Sequence, residues 1–176
     1  CSMRPFLQGP LVATILDLIA CSMMLGCGPA FAGMVWSDEF DGDKIDRAKW
    51  GFDVDCWGGG NNERQCYTAR PRNVGIENGV LVITAHQESY TGNAWPAAWA
   101  ASQADPSAQV TRPFTSAKLT TQGKASWLYG RFEMRARLPQ GQGTWPAFWL
   151  MTDYMTDHLK GKKVPCDELD IIEAYG

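Results

Sequence analysis

The chain has 176 residues, room for one domain, and 45% of them are hydrophobic, enough to bury a core. Its formal charge is −3 with no basic stripe, which argues against a nucleic-acid partner. It has two histidines and no zinc-like His or Cys spacing, but eight Trp, five Tyr and seven Phe. Those rings serve either a core or a cleft that binds the apolar faces of sugars.

Arg4 precedes an apolar stretch from Leu11 to Leu25, and Ala30-Phe31-Ala32 supplies a small-x-small cleavage site. Residues 1–32 therefore read as a signal peptide or leader, which predicts a secreted or periplasmic protein. The alternatives are a lipoprotein-like anchor at Met24-Leu25-Gly26-Cys27 and an ordinary N-terminal helix. The run, interrupted by Asp17, is too short for a membrane span. Export leaves Cys56, Cys66 and Cys166 in residues 33–176. Cys56 and Cys66 bracket the Gly-rich loop from Trp57 to Asn62, and either close it as a disulfide or stay as thiols. Asn61, Asn62 and Glu63 end that loop, where Asn suits a left-handed turn; Arg64 and Tyr67 follow on a candidate strand.

The pattern beyond is β. Leu81 to Ala85 is an apolar run after an Asn78-Gly79 turn signal. Tyr90 to Pro113, rich in Ala, Gly, Ser and Pro, reads as a long surface loop. Ala117 to Thr121 is a strand candidate, and Arg131 to Leu138 alternates polar and apolar between Gly130 and Pro139. On that alternation Arg131 and Arg135 share a face, for sugar hydroxyls or for neighbouring acids. Trp145 and Trp149 share a face at their spacing, as core or as cleft wall, and Pro146 restricts the strand to its end or a bulge. Asp153 to Pro165 is a polar connection. Short strands between turns predict an all-β sandwich.

Glu168-Leu169-Asp170-Ile171-Ile172-Glu173 closes the series. In a strand Glu168 and Asp170 share a face, and Glu173 has the wrong parity. One extra residue between Asp170 and Glu173, a β-bulge, restores it. Two glutamates on one cleft with an aspartate between them suit a retaining glycosidase, in which one carboxylate attacks the sugar and one carboxyl protonates the leaving oxygen. The plainer alternative is an edge strand with a solvated acidic face.

With Gly141 to Leu150 the acidic run resembles glycoside hydrolase family 16, most closely its laminarinase-like β-1,3-glucanases. The resemblance continues through Val35 to Phe40, Gly60 to Glu63, Glu77 to Ala85 and Tyr129 to Glu133, so it covers Val35 to Gly176. It implies a concanavalin-like β-jelly-roll sandwich, with residues 33–176 a partial catalytic domain, incomplete at the C-terminus because more strands are expected beyond Gly176. It implies hydrolysis of β-1,3-glucan by Glu168 as nucleophile, Glu173 as acid/base and Asp170 as helper. It places Trp145 and Trp149 as walls beside the nucleophile, and Asn62, Arg64 and Arg131 at the substrate. It implies no cofactor for catalysis, and a monomer when complete. Glu39 and Gly79 match positions that help hold a structural calcium ion, whose further partner is expected beyond this chain. A glucan-binding recognition protein on the same scaffold and an inactive fragment are the rivals.

Overall fold

The computed structural model describes residues 33–153 and 167–176. Residues 33–38 have no regular secondary structure, and the unit Glu39–Gly176 carries every described strand. Residues 1–32, Cys166 and nearly all of the connection from Asp153 to Pro165 lie outside the described residues. No helix among the described residues is long and apolar enough to cross a membrane.

The chain is all-β, with one 3-10 turn at Ala100–Ser102 among the described residues. Strand β1 (Gly51–Asp53) pairs with β7 (Lys118–Thr120), antiparallel. Strand β2 (Gln65–Tyr67) runs parallel to β6 (Gln109–Ser116), whose other edge takes β5 (His86–Asn93) antiparallel. Strands β3 (Val74–Glu77) and β4 (Val80–Ile83) form a hairpin, and β8 (Ala147–Met151) pairs antiparallel with β9 (Glu168–Glu173). The β3–β4 turn is the expected one: Asn78 and Gly79 have φ of 52° and 72°, the left-handed pair of a two-residue hairpin.

The best-buried side chains beside β2, β3 and β6 are polar, and they hold these strands together by hydrogen bonds. Asn73 Nδ2 donates to the Thr84 carbonyl (3.1 Å) and to Thr115 Oγ1 (3.0 Å), and its Oδ1 accepts from Thr68 Oγ1 (2.6 Å). Thr115 Oγ1 in turn donates to Glu88 (2.5 Å), which is also paired with Arg70 and Arg72. Among the described residues no buried side-chain polar atom lacks a partner. Loss of one member would leave a desolvated group, worth about 1–3 kcal/mol.

Two expectations are corrected. Tyr90 to Pro113 is not one long loop: β5 and β6 occupy both its ends, and only Ala94 to Ala108 connects them. Polar residues hide that hairpin from a hydrophobicity reading, since Thr91 and Thr111 pair across it through their hydroxyls, 2.8 Å apart. Arg131 to Leu138 is not a strand here, despite its alternation. Alternation gives sidedness, but a strand also needs a ladder partner. Arg131 pairs instead with Glu133, two residues on, at 2.7 Å, and both are mostly exposed.

Candidate active site

Strands β8 and β9 build the carboxylate face. The ladder sets Met151 opposite Glu168, Trp149 opposite Asp170 and Ala147 opposite Glu173, with a register shift between Phe148 and Trp149. Ile171 is the residue left without a partner, so the bulge lies between Asp170 and Glu173, as parity requires. Met151, Trp149 and Ala147 alternate on an unbulged strand and share one face. Their partners Glu168, Asp170 and Glu173 therefore share that face too. Pairing continues past β9, with Ala174 N donating to Pro146 O (3.1 Å) and Gly176 N to Thr144 O (3.0 Å). Glycine is required at 176, where a Cβ would come within 2.1 Å of the Gly141 carbonyl oxygen.

Trp145 and Tyr175 stand over Glu173. The Trp145 indole N–H and the Tyr175 hydroxyl each donate to Glu173 Oε1 at 3.0 Å, and their rings lie 4.9 Å apart. Two donors on one oxygen fix the orientation of the carboxyl plane. The Glu173 acceptor and partial desolvation in turn raise the Tyr175 pKa, with desolvation the larger cause. Glu168 also titrates above the usual carboxylate range. Partial desolvation of this largely exposed side chain is the main cause, the charges of Asp170 and Glu173 add to it, and Lys118 opposes them. Lys118 Nζ lies over the Trp149 ring, 4.8 Å from its centroid.

The other predicted substrate residues are elsewhere. Cys56 and Cys66 form a disulfide and are fully buried. It closes the Gly-rich loop, whose start is held by Arg112 Nε donating to Cys56 O (3.2 Å) and by Trp57 meeting Trp99 edge-on at 4.8 Å. Asn62 has φ 58°, the left-handed turn role. Glu63 accepts from Gln65 (2.5 Å) and Tyr67 (3.0 Å). Arg64 lies over the Phe114 ring at 5.6 Å, and Arg131 sits in the exposed pair with Glu133. The structure thus brings the three carboxylates together with Trp145 and Trp149, and adds Tyr175 and Lys118, which the sequence reading did not single out. Tyr175 shares the parity of Glu173 and was findable; the neighbours of Lys118 depend on packing between distant strands.

No group of three or more His, Cys, Asp or Glu among the described residues is placed to hold a metal ion, so Glu39 does not belong to such a cluster here.

An all-β scaffold presenting three acids beside a tilted Trp–Tyr pair has the equipment of a carbohydrate-active site. The family model for glycosyl hydrolases family 16 matches residues 60–176. A β-glucanase of Rhodothermus marinus is 46% identical over 165 residues, 90% of this chain and 50% of that protein. A glucan endo-1,3-β-glucosidase of Cryptopygus antarcticus is 46% identical over 142 residues, 80% of this chain and 45% of that protein. The X-ray structure of the Rhodothermus marinus laminarinase superposes with a TM-score of 0.61 at 43% identity, covering 80% of this chain and 49% of that one. The chain belongs to glycosyl hydrolases family 16 and has that family's jelly-roll architecture, spanning about half the length of the relatives it matches.

Proposed function

We propose that this chain carries the catalytic strand of a retaining endo-β-1,3-glucanase, exported to act on laminarin-like β-glucan. The bulge at Ile171 is the observation that supports it, because it gathers Glu168, Asp170 and Glu173 on one face. Glu168, ionised, attacks the anomeric carbon and forms a glycosyl ester, while Glu173 gives its proton to the departing glycosidic oxygen. Water then attacks the ester; Glu173 takes its proton and Glu168 leaves as carboxylate. Asp170, between the two, moderates the charge on Glu168. Trp145 and Trp149 offer apolar faces to the sugar rings beside the bond that breaks. Asn62, on the disulfide-closed loop, and Arg64 contact sugar hydroxyls farther along the chain. Export rests on the leader-like residues 1–32 and suits both a polymer too large to enter a cell and a buried disulfide.

The experiment measures laminarin hydrolysis by the 176-residue chain, and by a chimera that continues it into the remaining half of the Rhodothermus marinus laminarinase. The chimera is expected to release reducing ends from β-1,3-glucan. A folded chimera, judged by a cooperative melt, that binds laminarin without cleaving it would overturn the reading in favour of a glucan-binding protein.

A further inference from the structure

Strand β7 delivers a charge to the carboxylate face that neither β8 nor β9 supplies. Lys118 Nζ lies 2.8 Å from Asp53 Oδ2 on β1 and 4.8 Å from the centroid of the Trp149 ring on β8. Trp149 is the cross-strand partner of Asp170, two residues from Glu168. The ammonium therefore bridges the β1–β7 pair to the β8–β9 pair. It has three donors, so the bond to Asp53 anchors it without exhausting it. Both side chains of the pair are about one-third exposed, at 32% and 31%. The groups facing it are all acidic: Asp53 and Asp55 on the β1 side, and Glu168 on β9. Glu168 itself faces Asp170 and Glu173, and Lys118 is the cation set against them.

We infer that Lys118 is a positioning residue of this site: anchored by Asp53, its ammonium fixes the plane of the Trp149 ring and sets a positive charge beside the face that carries Glu168, Asp170 and Glu173. The catalytic part of this rests on the glucanase reading; the positioning part stands on the Asp53 and Trp149 contacts. The direction of the Glu168 titration agrees, since Lys118 acts against burial and two neighbouring carboxylates. A simple surface ion pair with Asp53 would not touch the Trp149 ring.

The test compares Lys118→Met, which keeps length and loses charge, with Lys118→Arg, which keeps charge. Two quantities are read: the carbon-13 NMR titration midpoint of the Glu168 carboxyl in the 176-residue chain, and the pH profile of kcat/KM on laminarin in the chimera. Lys118→Met is expected to move the midpoint and the acidic limb to higher pH, with a loss in kcat/KM of about threefold to tenfold below the limb. Lys118→Arg restores both. An unmoved midpoint with only a lowered Tm would overturn the proposal and leave Lys118 a structural ion pair. Should Lys118→Met fail to fold, Lys118→Gln is read in its place with the same upward movement of the midpoint expected; no movement there overturns it equally. A shifted midpoint in the 176-residue chain beside a folded chimera that never cleaves laminarin would support the Lys118 contact and overturn the substrate reading instead.

Discussion

Glu168 is a largely exposed carboxyl whose surroundings favour its neutral form, through partial desolvation and then through Asp170 and Glu173. A group with a raised folded pKa binds its proton more tightly folded than unfolded, so stability falls as pH rises through the interval between the two values. Glu168→Gln is therefore expected to melt higher than the wild type at neutral pH. The gain should vanish below the ordinary glutamate range, where both states are protonated, and thermal melts across pH check this. Glu88 has the opposite sign. Hydrogen bonds from Thr115 and Arg70 lower its pKa, so its contribution is present above the ordinary range and is lost as pH falls through the folded value. On activity, Glu168→Gln and Glu173→Gln in the chimera should each lower kcat by about a hundredfold to ten-thousandfold, with Asp170→Asn milder. Near wild-type turnover in either glutamine variant would refute the roles. The shared face of Glu168, Asp170 and Glu173 was legible because parity called for a bulge, and the ladder has one at Ile171. Tyr175 was legible by its parity with Glu173, whereas Lys118 was not, because its place comes from the Trp149 ring that it faces.

The β8–β9 pair places the site through a single inserted residue. Removing Ile171 would close the bulge and leave Glu168, Asp170 and Glu173 at alternate positions of a regular strand, still on one face. The deletion is expected to keep measurable hydrolysis in the chimera together with a cooperative melt; abolished hydrolysis with the melt intact would show that the bulge does more than set the parity of Glu173. The same element shows why the sequence could be read so far. The acidic run states its own irregularity, and the Asn78-Gly79 turn states its hairpin. The β5–β6 hairpin states neither, since Ser89, Thr91, Thr111 and Arg112 look like loop until paired, with an irregularity of its own between Gln87 and Tyr90. Arg131 to Leu138 errs the other way, a strand-like pattern that makes no ladder in this structure.

Among the described residues of the whole unit the apolar core is thin. Cys56, Cys66, Val74, Trp99 and Ala117 are its buried hydrophobic members, while Leu169 and Ile171 on the opposite face of β9 are 59% and 37% exposed. Stability then leans on the polar network around Asn73 and on the disulfide across ten residues. Reduction is expected to cost about 2–4 kcal/mol and to lower the Tm, with melts in and out of reductant as the measure. Glucan affinity should fall with it if the loop bearing Asn62 is part of the cleft. The central claim is that Glu168 forms a covalent bond to the sugar. Peptide mass spectrometry of the chimera after exposure to a slow fluorinated laminaribiosyl donor tests it most directly. The account predicts a glycosyl adduct on Glu168; an adduct on another residue, or unmodified protein that still turns the donor over, would contradict it.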